Sequence, residues 1–201
     1  MDASPLALDL ALTVRHDGHG RVTDDLTEPS GLTHWVRERQ DTLTAVCASD
    51  TPFTADAASL AAVREVRAAV RALFAHAVHP GEPSPADAHR LLPAADAVAR
   101  LNTAAGRVPT VPVLHWTEDA EPVVRHAPVG PATGADLLAA VLATAALAFL
   151  TGPDRTRLRA CHAPRCVRYF LKEHPRQEWC KPSCGNRARV ARHHERHRST
   201  V

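Results

Sequence analysis

Residues 159–198 read RACHAPRCVRYFLKEHPRQEWCKPSCGNRARVARHHERHR, and this stretch decides how the C-terminal part of the chain folds. Four cysteines fall in it as Cys161-x4-Cys166-x13-Cys180-x3-Cys184, while the fifth, Cys47, stands 114 residues upstream. Disulfides are one use for such a cluster. The N-terminus Met1-Asp2-Ala3-Ser4-Pro5 is acidic where a secretory leader is basic, so a cytoplasmic chain is expected, in a reducing compartment where disulfides are rare. Two close pairs across a short spacer can instead converge tetrahedrally on Zn²⁺.

The surroundings suit that use. Pro164 and Pro182 each stand two residues before a second cysteine, where a fixed φ favours a tight turn, and Gly185 adds conformational freedom after Cys184. Arg159, Arg165, Lys181 and Arg187 lie close to the cysteines and lower the cost of four thiolates around one dication. If Cys184 opens a helix, the positive helix N-terminus helps further. His162 and His174 are candidate competing ligands, but four cysteines already close a structural site. Val167, Tyr169, Phe170, Leu171 and Trp179 supply a small apolar core for the module. After it, Arg187 to Arg198 contains neither Pro nor Gly and reads as a helix that places Arg189, Arg192 and Arg196 on one face.

The remainder of the chain has the opposite charge. Residues 1–154 hold 11 Lys/Arg against 19 Asp/Glu, a net of −8, whereas residues 155–201 hold 13 against 3, a net of +10, inside a chain of 201 residues whose formal total is +2. An acidic body with a compact basic end makes a nucleic acid the first partner to consider. At 45% hydrophobic residues the chain can bury a core. The longest apolar run, Leu137 to Leu150, falls short of the ~18 residues of a membrane span, so no membrane partner is expected.

Gly and Pro pairs divide the body into helical blocks. Ala58 to Val78, with Leu60, Val63, Val66, Val70, Leu73 and Phe74 interleaved with Arg64, Arg67 and Arg71, predicts an amphipathic helix with the arginines outside the apolar stripe. Ala86 to Leu101, behind a Ser84-x-x-Asp87 capping box, predicts a second; Gly31 to Cys47 and Ala135 to Leu150 predict two more. Thr110 to Trp116 and Pro122 to His126 flank an acidic turn and predict a hairpin. The fold class is thus α+β, mainly helical: a helical body (1–153) with a small β-hairpin, followed by a treble-clef-like zinc module (154–201).

Enzymatic motifs are scarce. No phosphate-binding glycine loop, His-Glu-x-x-His or Gly-x-Ser-x-Gly is found, and an enzyme is not expected. Arg15-His16-Asp17-Gly18-His19-Gly20 could bind a metal, though a polar turn explains it equally well; His115-Trp116 could line a pocket; Cys47 reads as a small buried hydrophobe.

The signature Cys184-Gly185-Asn186-Arg187, the aromatic run after Cys166, Trp179 before Cys180 and the trailing Arg/His-rich helix resemble the CGNR zinc finger of bacterial proteins. The body, with its Leu8-Asp9-Leu10 element, Asp25-Leu26, the Trp35 helix, the Arg-spaced helix and the hairpin, resembles the ABATE domain that usually precedes that finger and is described as a stress-induced transcription regulator; Leu12-Thr13 replaces its usual Asn-Thr. The resemblance implies Zn²⁺ held by Cys161, Cys166, Cys180 and Cys184, and binding to DNA. Candidate DNA contacts are Lys181, Arg187, Arg189, Arg192, Arg196 and Arg198, with the body sensing a small-molecule effector or forming a homodimer. The rival expectation is a zinc-stabilised interaction module, or an RNA binder, whose basic helix docks on an acidic partner.

Overall fold

A computed structural model of the chain describes residues 5–16, 21–46, 53–78, 82–83 and 90–198. Cys47, the Ser84/Asp87 capping box and the Asp17–Gly20 part of the His/Asp cluster lie outside these residues.

Three helices form the centre: α4 (Ala57–Ala77), α5 (Ala94–Gly106) and α6 (Gly134–Thr151), each packed on the other two. Ahead of them come α1 (Leu6–Ala11), a short hairpin of β1 (Val14–His16) and β2 (Val22–Asp24), α2 (Pro29–Arg37) and α3 (Gln40–Val46). The hairpin β3 (Thr110–His115) and β4 (Val123–Pro128) separates α5 from α6; a 3₁₀ turn, β5 (Leu158–Ala160), β6 (Tyr169–Leu171) and α7 (Pro182–Arg198) complete the chain.

The caps follow from the sequence. Asp56 accepts the Ser59 N–H at 2.7 Å to start α4, and Thr133 accepts the Asp136 N–H at 3.1 Å to start α6. Helix α6 is 18 residues long and, by length and composition alone, apolar enough to cross a bilayer, two residues beyond the expected 135–150 at its ends. Its Leu138, Leu142, Ala146 and Phe149 are instead buried against the neighbouring helices.

Two predicted helices are corrected. The block 31–47 is two helices, because Arg39 leaves the helical path: its guanidinium bonds Asp9 at 3.2 Å and the Trp35 carbonyl at 3.1 Å, and lies 4.6 Å over the Trp35 ring. Of the helix expected over 86–101, residues 86–89 lie outside the described residues and the described helix begins at Ala94, since Pro93 has no N–H to give and holds the extended conformation that precedes the first turn. It then runs five residues further, to Gly106.

The hairpin β3–β4 forms as expected, with Leu114 opposite Val124 and Pro112 opposite His126. Strand alternation puts these four on one face, and all four are exposed. Trp116, just past the strand, is 70% exposed.

Helix α4 departs from a simple amphipathic pattern. Arg67 and Arg71 are not on a solvated face; they are 6% and 5% exposed. Arg67 forms a fork with Asp24, Nη1 to Oδ1 at 2.5 Å and Nη2 to Oδ2 at 2.7 Å, and also donates to Thr13 Oγ1 at 3.0 Å. Burial pushes the Asp24 carboxyl up, but the Arg67 bond, the Leu26 N–H and the charges of Arg67 and Arg64 outweigh it and hold the group below the usual carboxylate range. Arg71 donates to the carbonyls of Ala11 at 2.6 Å and Val167 at 2.9 Å, joining α1 to the C-terminal segment through the middle of the molecule.

Candidate metal centre and its basic helix

The cysteine site begins with strand alternation. In the β5–β6 pair, Leu158 faces Leu171 and Ala160 faces Tyr169, all turned to the body; Arg159 and Phe170 take the other side. Tyr169 is 1% exposed, lies edge-on to Phe74 at 5.6 Å, and donates its hydroxyl to the Arg71 carbonyl at 3.3 Å. Phe170 packs with Cys161, Cys166 and Cys184, and Trp179 closes that second cluster. The aromatic run therefore serves two cores, and only half of it belongs to the cysteine module as expected from sequence.

Between the strands the chain makes a knuckle. The Cys166 N–H reaches the Ala163 carbonyl at 2.9 Å, with Pro164 and Arg165 at the centre of the turn; Arg165 has φ 61°, the left-handed conformation that a type II turn requires at its third residue. The second pair straddles the start of α7, with Cys180 just before it and Cys184 within it. Pro182 is the first residue of that helix, a role its missing N–H permits, so the helix starts five residues before the expected Arg187 and Cys184 sits in the first turn.

These elements bring all four Sγ atoms within 4.8 Å of one another. Cys166–Cys180 and Cys166–Cys184 are 3.9 Å apart and Cys180–Cys184 3.5 Å. A tetrahedral zinc ion with bonds of about 2.3 Å separates its sulfurs by about 3.8 Å, so the donor set fits Zn²⁺ in both chemistry and spacing. His162 and His174 are exposed and outside this group.

Without a cation the thiols of Cys161, Cys166 and Cys180 cannot all ionise. Hydrogen bonds from Cys166 and Cys180 pull Cys161 down to about 2, and the same sharing pushes Cys166 up to about 11 and Cys180 higher still. Metal entry must therefore expel protons, and acid weakens the site.

The four residues from Cys184 to Arg187 each have a distinct task. Cys184 supplies a sulfur. A Cβ on Gly185 would sit 3.0 Å from Trp179 Cδ1, so this position admits the tryptophan ring; its use is close approach rather than the freedom expected. Asn186 accepts from Arg189 one turn on. Arg187 donates to Cys184 Sγ at 3.2 Å and bonds His16 Nδ1 at 2.8 Å. Arg187 is thereby drawn from the set of expected nucleic-acid contacts: its guanidinium is engaged with the cysteine site and β1. Sequence reasoning missed this link because His16 and Arg187 are 171 residues apart and neither sits in a periodic pattern. It also places His16 against a guanidinium, while Arg15 is paired with Asp25 at 2.8 Å.

Of the other basic candidates, Lys181, Arg189, Arg192 and Arg196 are exposed. Cys184 and Ala188 are buried on one side of α7; Arg189, Arg192 and Arg196 are exposed on its adjacent flank. Arg189 and Arg192 bond Asn186 and the Ala188 carbonyl of their own helix. Lys181 is exposed just before the helix and Arg198 is its last residue.

Fold and site define a helical α+β body carrying a treble-clef-like zinc module, the architecture of a zinc-binding regulator. Residues 157–197 match the family model of the CGNR zinc finger, and residues 4–153 match ABATE, whose description reads "Putative stress-induced transcription regulator". The chain belongs to the ABATE family, and its cofactor is Zn²⁺. No curated protein matches it.

Proposed function

We propose that the chain is a zinc-dependent, DNA-binding transcription regulator of the cytoplasm and not an enzyme. Cys161, Cys166, Cys180 and Cys184 hold the zinc, which orders the first turn of α7. The observation that carries this reading is the exposed flank of α7, where Arg189, Arg192 and Arg196 stand beside the side packed on the cysteines. Three guanidinia at helical spacing suit phosphates along a duplex, with Lys181 and Arg198 flanking them. Neutralising three phosphates gives a log–log salt slope near −3 per chain.

The body supplies sensing and dimerisation in this scheme. A cleft of about 390 Å³ between α4, α5 and α6, lined by Leu73, His76, Leu101, Leu147 and Arg155, has the size of a small-molecule site. The exposed apolar face of β3–β4 supports association with a second copy.

Duplex binding by the full-length, zinc-loaded protein across a salt series tests the proposal, with Cys180→Ser as the control lacking a complete site. Salt-dependent binding lost in the control is expected. A protein holding one zinc per chain that shows no salt-dependent binding overturns it and favours the rival interaction module.

A further inference from the structure

Helix α7 carries a second set of metal-ligating groups that the cysteine centre does not use. His193 and His197 are four residues apart and share a face. Both are exposed, their ring centroids are 4.4 Å apart, and their Nε2 atoms approach to 3.1 Å. Two imidazole nitrogens bound at about 2.0–2.1 Å to one cation lie about 2.9 Å apart at an octahedral angle and about 3.3 Å at a tetrahedral one, and 3.1 Å falls between. The helix thus already holds both nitrogens at the separation a shared ion requires.

We propose that His193 and His197 form a second metal site, distinct from the cysteine centre, for a divalent first-row transition ion such as Ni²⁺, Cu²⁺ or Zn²⁺. Imidazole is a ligand common to these ions. Only two protein donors face the ion, so its other positions take water or an anionic oxygen. His194, one residue on, projects in another direction; its ring stands 6.1 Å from that of His193 and edge-on to it.

The neighbouring charges shape the site. Arg189 and Arg196 flank the pair on the helix, with Arg192 further round, and their repulsion weakens the hold on a bare dication. The same charges favour an ion whose open positions carry anionic oxygens, so ion and arginines together make an anion-binding surface. This last step rests on the nucleic-acid reading above; the metal site does not.

The test uses the untagged, full-length protein with its one zinc in place, titrated with Ni²⁺ by calorimetry. A second metal equivalent is expected in the parent chain and in His194→Ala. It is expected to weaken by roughly tenfold or more in His193→Ala and in His197→Gln, while the bound zinc stays at one per chain. Two results overturn the proposal: no second equivalent in the parent, where the 3.1 Å approach is then only an N–H···N hydrogen bond, or a second equivalent untouched by either substitution. Both outcomes are independent of whether the protein binds DNA.

Discussion

Replacing Tyr169 by alanine is expected to destabilise the body and the zinc module together. The side chain is 1% exposed, packs edge-on to Phe74 at 5.6 Å and lies under the Arg71 guanidinium at 5.4 Å. Truncating a buried aromatic to alanine costs about 3–5 kcal/mol, and the lost ring pair and hydroxyl bond place this site toward the upper part of that range. Against a domain stability of about 5–15 kcal/mol the loss is large. The neighbour Phe170→Ala removes a ring of similar size that faces Cys161, Cys166 and Cys184 instead. Urea unfolding of the zinc-loaded protein separates the two when followed by far-UV circular dichroism, which reports the body helices, and by zinc release to a chromogenic chelator. Tyr169→Ala should lower both midpoints; Phe170→Ala should chiefly lower the midpoint for zinc release. A body midpoint that Tyr169→Ala shifts by less than about 1 kcal/mol equivalent would refute the idea that β6 is shared between two cores.

Other substitutions probe single features. Asp24→Ala strips the counter-charge from Arg67, which is 6% exposed, and should cost about 3 kcal/mol in urea unfolding; a loss under about 0.5 kcal/mol would count against a buried pair. Because the folded Asp24 carboxyl is depressed, its contribution is full above about pH 4 and disappears as pH falls through the lower folded value. Asp24→Asn should therefore flatten that part of the acid limb, and an unchanged limb would argue otherwise. Arg165→Gly relieves a left-handed residue at φ 61° and should raise the urea midpoint for zinc release by up to about 1 kcal/mol equivalent, with a fall contradicting the turn assignment. Gly185→Ala should push Trp179 aside, shifting its emission and weakening zinc retention, whereas unchanged values of both would show that the ring has room to move.

Long periodic patterns made α4, α6, the β3–β4 hairpin and the cysteine cluster legible in the sequence. The three-residue strands β1, β2, β5 and β6 were not, because a period of two needs more residues than they contain. The break after Arg37 has no Pro or Gly to mark it and depends on where Asp9 and Trp35 meet Arg39. Arg67 and Arg71 looked solvated by residue type, yet each follows a buried valine by one position and sits on the flank of the apolar stripe. Their partners Asp24, Ala11 and Val167 are brought to them by tertiary packing. The metal site was readable because its ligands come in two local pairs. The long-range contact that engages Arg187 was not.

The docking of β5 and β6 onto the body has an electrical consequence. A segment of net +10 and a body of net −8 are packed as one piece, so the protein carries a permanent dipole that cannot relax by swinging one part against the other. Near any polyanion such a molecule feels a torque before it makes contact, which turns the basic end forward and increases productive encounters at low salt. Once the basic end is engaged, the body behind it keeps its net charge of −8. A second polyanion is then repelled, and a single copy is poorly suited to bridge two of them.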